Sequence, residues 1–92
     1  MTLYYKWDTA ENVWYLSTIS DEGVCKPCAY EIEYVGDSYD IYRRDRQIKT
    51  YQLSTQTLIE ARTIALHSVS ADTRLLHGGD VKCQEVSTFD GL

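Results

Sequence analysis

The sequence predicts an α+β domain: a single antiparallel β-sheet of four to five strands with one long α-helix packed on one face, strands first, then the helix, then a final strand. Three observations lead there. Eight Tyr and two Trp lie before residue 52, and these residue types favour half-buried strand positions where a ring packs and a polar tip stays wet. Residues 30–34 alternate apolar and acidic with period two. At Ser54 the period changes, and Leu58, Ala61, Ala65 and Val69 then fall on one line of a helix.

Taken in order, Leu3 to Trp7 reads as a strand, Asp8 to Asn12 as a polar turn, and Val13 to Ile19 as the returning strand of a hairpin. Asp21-Glu22-Gly23 is a turn signal. Tyr30, Ile32 and Tyr34 share one face of the next strand, with Glu31 and Glu33 on the other as a solvated pair. Gly36 to Ser38 turns into a strand over Tyr39 to Arg43. After the charged Arg44 to Arg46 stretch, Gln47 to Leu53 is a further strand or an extension of the same hairpin, with Ile48 on one face and Lys49 and Tyr51 on the other.

The helix is predicted over about residues 55–69, fading between Ser68 and Asp72. Thr57 and Glu60 have capping-box spacing, with Ser54 a competing N-cap. Leu58, Ala61 and Ala65 should be buried against the sheet with some of Leu3, Tyr15, Ile32 and Ile41. Arg62 interrupts the apolar arc, which implies snorkelling or a partner carboxylate on the sheet. Gly78 and Gly79 mark a turn, a last strand follows at about 81–86 beside the first hairpin, and 87–92 is a loose tail. Residues 1–92 thus form one domain, with sheet from 2 to 53. One helix covers one face only, so the other is solvated or meets a partner, and some of the surplus Tyr and Trp should line it.

The net charge of −5 is unevenly spread. Residues 1–42 carry eight acids against two bases, whereas residues 43–92 carry six acids against seven bases. Four bases cluster at Arg43, Arg44, Arg46 and Lys49. An acidic chain is a poor generic nucleic-acid binder, because counterion release needs a positive face, but one local patch can still meet phosphates. With Tyr42 beside them, these four bases are the candidate partner-binding residues: Arg offers a fork to phosphate or carboxylate, and Tyr can stack. As exposed charges they should tolerate reversal at Arg43 and Arg44 with little change in melting, while partner binding falls.

No catalytic constellation is present, and no enzyme activity or cofactor is expected: there is no GxSxG, HExxH or P-loop. Cys25-Lys26-Pro27-Cys28 precedes a strand rather than opening a helix, which disfavours a thioredoxin-like role. As half of a zinc site it needs ligands from Cys83, His67 or His77, and no second paired motif supplies them. A zinc-stabilised interaction module is therefore the third alternative. The odd cysteine count reads as reduced thiols. The first residues lack a basic-then-apolar leader and no run reaches about 18 apolar residues, so a cytoplasmic location with no membrane partner is expected.

The small, acidic, Tyr-rich chain resembles the phage-encoded anti-CRISPR proteins. Its segment Tyr51, Leu53, Ser54, Leu58, Glu60, Ala61, Ile64 and Ala65 looks like the sheet-plus-helix build of small inhibitors of type I-F systems. The resemblance covers size, composition and build. It implies a non-enzymatic inhibitor that docks on a host crRNA-guided surveillance complex, protein subunits or guide-RNA backbone, and blocks target DNA hybridisation in the host cytoplasm, with no small-molecule substrate. The same strand-to-helix pattern also looks like small DNA-binding modules with a three-stranded sheet and one helix. That similarity implies the alternative of a nucleic-acid-binding regulator using the Arg43 to Lys49 hairpin, although the acidic N-terminal half departs from it.

Overall fold

Two-residue turns build both ends of the sheet. In the computed structural model, which describes residues 1–92, strand β1 (Thr2–Ala10) returns through Glu11-Asn12 into β2 (Val13–Ser20). Asn12 sits at φ 57°, the left-handed region that Asn tolerates and a two-residue hairpin requires. The strands are therefore longer than the polar run 8–12 implied. A second tight turn, Arg46-Gln47, joins β4 (Tyr39–Asp45) to β5 (Ile48–Thr55), with Arg46 at φ 58°. No Gly or Asn announces that turn, so the stretch left open between a separate strand and a hairpin extension is a full strand.

Between the hairpins lies β3 (Cys25–Tyr34), the central rib. After helix α1 (Leu58–His77), the short β6 (Lys82–Glu85) pairs in parallel with β1. The sheet thus has six strands in the order β5-β4-β3-β2-β1-β6, and it is mixed, not purely antiparallel with four to five strands. The parallel pair follows from the route: α1 runs from β5 at one edge and the chain returns at the far edge, a crossover that a hairpin connection cannot make.

The helix N-terminus has the anticipated capping box. Thr57 Oγ1 accepts from the Glu60 backbone N–H at 3.2 Å and lies 3.0 Å from Glu60 Oε1. Its C-terminus, however, is eight residues beyond 69. Gly78, at φ 71°, donates its N–H to Arg74 O at 2.7 Å and ends the helix there. The expected fading between Ser68 and Asp72 does not occur, although Ser and Asp side chains can compete for backbone groups there. Instead Thr73 Oγ1 bonds back to Val69 O at 2.8 Å, and Asp72 is held by the sheet.

The core is Leu16, Ile32 and Ile41 from the three central strands with Leu3, against Ala61, Ala65 and Val69 of the helix. Leu58 is half-buried at its edge, and Tyr15 lies half-buried on the opposite face. Register puts Trp7, Trp14, Tyr30, Tyr34 and Tyr39 on the helix side, where Trp14, Tyr34 and Tyr39 stack with centroids 5.0–5.8 Å apart. Neither Trp therefore lines the open face. Arg62 finds no carboxylate: its guanidinium stands 5.2 Å from the Trp7 ring centre, a cation–π contact. The end of the chain turns back, with half-buried Phe89 5.3 Å from the Lys6 ammonium. No helix is long and apolar enough to cross a membrane.

Candidate functional site: the β4–β5 hairpin and the open sheet face

The four clustered bases do not form one patch. Strand alternation sends Arg43 to the helix side and Arg44 and Lys49 to the open face. Arg43 meets Asp72 of the helix at 2.5 Å, and the Tyr30 hydroxyl donates to the same carboxylate at 2.8 Å. Burial, then the Asp72 hydrogen bond, pushes the Tyr30 hydroxyl up to about 12. This trio joins β3, β4 and α1. Asp72 lies on the sheet-facing line of the helix, and an acid on such a line was a legible sign that a sheet partner awaits it.

On the open face, Arg44 and Lys49 are directly opposite across the β4–β5 ladder. Like charges so placed repel. The Glu31 carboxylate offsets this by accepting from Arg44 Nη1 at 3.2 Å and from Lys49 Nζ at 2.8 Å. Lys49 also donates to Glu33 at 2.5 Å and stands 4.4 Å from the Tyr42 ring centre. Glu31 is only 5% exposed. It is not the solvated residue that alternation implied, since its partners come from strands far off in sequence. Arg44 and Lys49 thus pair within the chain, and the premise that Arg43 and Arg44 are free exposed charges is corrected: both already hold intramolecular acids, so their reversal is now expected to lower melting. Arg46 alone of the four stays exposed at the hairpin tip without an ion pair.

Hydrogen bonding from Lys49 holds the Glu33 carboxyl below its ordinary range, and the two glutamates hold the Lys49 ammonium above its own. A depressed carboxyl contributes stability that is present above its unfolded value, about 4.3, and is lost as pH falls through the lower native value. Wild type should accordingly lose melting temperature on acidification below about pH 4.3, and Lys49→Met should lose less over the same interval. Parallel acid profiles from thermal melts of the two proteins would remove Lys49 as the cause.

Tyr42 shares the open face with Arg44 and Lys49. Its ring meets Tyr51 edge-on at 5.8 Å, and Tyr51 in turn shares a 2.7 Å hydroxyl contact with Ser54, which donates to Asp40 at 2.5 Å. Burial and the nearby acids Glu33 and Asp40 raise the Tyr42 hydroxyl pKa. By register, Tyr4 and Tyr15 lie on this same face, and nothing from the helix covers it.

The cysteines do not converge. Cys25 and Cys28 open β3 at a bulge against β2, whereas Cys83 lies on β6 at the far edge of the sheet. His67 is exposed on the helix and His77 ends it. No three metal-ligating side chains come together. Burial raises the Cys28 thiol, which disfavours the thiolate that redox or metal chemistry uses. Comparison of the chain with protein-family models, with curated proteins and with solved structures finds no match.

Proposed function

We propose that this chain acts without chemistry of its own, by binding another protein through the open face of its sheet. The observation that carries this is the state of the basic hairpin: Arg44 and Lys49 are neutralised by Glu31 and Glu33 on a face that also bears Tyr4, Tyr15, Tyr42 and Tyr51. A neutral, tyrosine-bearing surface suits a protein partner, where Tyr and Arg dominate binding energy. It suits phosphates poorly, since their binding requires uncompensated cations. Within this class the specific reading is the inhibitor of a crRNA-guided surveillance complex, supported by size, the split charge and the Tyr-rich build.

Tyr51, 54% exposed and outside the ion-pair network, provides the test. The purified chain is expected to co-elute with a type I-F surveillance complex and block its target DNA, and Tyr51→Ala is expected to weaken that binding about tenfold, a loss of about 1.4 kcal/mol, while the chain stays folded with a small drop in melting from the lost Tyr42 and Ser54 contacts. A chain that ignores the complex would overturn the inhibitor reading. Tight, steeply salt-dependent binding of free duplex DNA would instead favour the nucleic-acid regulator.

A further inference from the structure

The line of α1 that faces the sheet runs through Leu58, Ala61, Ala65, Val69 and Asp72, and its next member is Leu76. The first residues of that line are covered, yet Leu76 is 70% exposed and its neighbour Leu75 is 86% exposed. The helix therefore ends over an unfilled stretch of core. Beneath it opens a groove of about 520 Å³, floored by Ala29, Tyr30 and Val69, with Ile48 of β5, 66% exposed, on the opposite rim. Toward the hairpin tip the groove continues into a notch of about 330 Å³ that shares Lys26, Ala29, Arg44 and Asp45 with it.

The charge here runs against that of the chain. Lys26, Arg43, Arg44 and Arg46 line the groove and notch against two acids, Asp45 and Asp72, in a protein whose net charge is −5. Arg43 and Arg44 are spent on Asp72 and Glu31, which leaves Lys26, Arg46 and one acid, Asp45, free of ion pairs, a net surplus of one positive charge. That surplus lies beside a cleft whose apolar side chains gather at Leu75, Leu76, Ile48 and Val69, which is complementary to a large aliphatic or aromatic side chain flanked by carboxylates. The three exposed aliphatic side chains on the rim disfavour a nucleic-acid occupant, which would leave them against phosphate and water.

Building on the protein-binding role above, we propose that the groove between the C-terminal turn of α1 and the β4–β5 hairpin is a docking site for an acidic protein segment carrying a large apolar anchor. The anchor enters between Leu76 and Ile48 over Tyr30, and its flanking carboxylates meet Lys26 and Arg46. This contact is separate from the tyrosines of the open face, so the two can be lost independently.

The test is an NMR titration of the isotope-labelled chain with two short peptides, one alternating leucine with glutamate and the other alternating leucine with lysine. The acidic peptide is expected to shift resonances of Ala29, Ile48, Val69 and Leu76, with the lysine peptide at least about tenfold weaker. Lys26→Glu with Arg46→Glu should reverse that preference. Leu76→Asp, at an exposed site and so compatible with folding, should abolish binding. No shift at about 1 mM peptide, equal binding of both peptides, or shifts confined to the Tyr51 face would overturn the proposal. So would a concentration-dependent dimer that Leu76→Asp dissolves, because the occupant would then be a second copy. Pull-down of the surveillance complex separates this site from the open face. Loss with Tyr51→Ala but not with Leu76→Asp overturns the groove alone, and loss with neither overturns both.

Discussion

Replacing Arg44 by glutamate is expected to lower the melting temperature by roughly 10–20 °C. Removing one partner of a fully buried ion pair costs about 3–5 kcal/mol. Here the Arg44 side chain is 30% exposed and Glu31 keeps Lys49, so about 2–3 kcal/mol is the appropriate scale. A domain of this size shifts by about 4–8 °C per kcal/mol. The new carboxylate lies diagonal to Glu31, which puts repulsion where the wild type has attraction, and its position opposite Lys49 offsets only part of that. Arg46→Glu, at the exposed hairpin tip, should stay within about 0.5 kcal/mol of wild type. Adding Glu31→Gln to Arg44→Glu should recover much of the loss, because the repelling charge is gone; a double-mutant cycle measures that coupling. If Arg44→Glu melts with wild type, Glu31 is not held by the hairpin, and the neutral open face proposed as the binding surface loses its basis.

That pair shows where sequence reading stops. Alternation put Glu31 on the face away from the helix, and it is there. Its burial depends on β4 and β5 folding alongside β3, which brings Arg44 from 13 residues away and Lys49 from 18. Periodicity reports which way a side chain points; it does not report which neighbours lie across two ladders. The hairpin bases were legible as a cluster in the chain, but strand alternation splits that cluster between two faces, so sequence proximity overstated their unity. The helix end failed for a related reason. Ser70, Asp72 and Thr73 have low intrinsic helix preference, and a tertiary bond from Tyr30 with the Arg43 ion pair overrides it. Two turns further along, the same stripe carries Asp72 and Leu76 on the sheet-facing line. An acid and an uncovered leucine there foretell the trio and the groove. The last strand, expected at about 81–86 beside the first hairpin, lies there as Lys82–Glu85 against β1; the count falls short because the Arg46-Gln47 turn, without Gly or Asn, carries too little local signal to separate 47–53 as a strand of its own.

The alanines of that stripe were legible without tertiary knowledge, and they carry the second large expectation. Ala61 and Ala65 are 0% exposed, one helical turn apart, with Ile32, Ile41 and Leu16 of the sheet in the same core. A methyl at each point lets the helix backbone approach the strands more closely than a larger side chain permits. Ala61→Leu adds three carbons where no cavity receives them, so either rotamers strain or α1 lifts from the sheet. Overpacking of this kind costs about 1–3 kcal/mol, and it outweighs the intrinsic helix preferences of Ala and Leu, which differ by only a few tenths of a kcal/mol. The expected result is a melting temperature lower by roughly 5–20 °C. Lifting the helix also lengthens the Tyr30–Asp72 and Arg43–Asp72 contacts, since both cross the same interface. The Tyr30 hydroxyl should then titrate below about 12 in ultraviolet difference spectra taken where the variant remains folded. Ala71→Leu, on an exposed position of the same helix, is the control and should leave melting and titration unchanged. An Ala61→Leu variant as stable as wild type, with the Tyr30 hydroxyl still at about 12, would mean that α1 does not rest on the sheet through its alanine stripe.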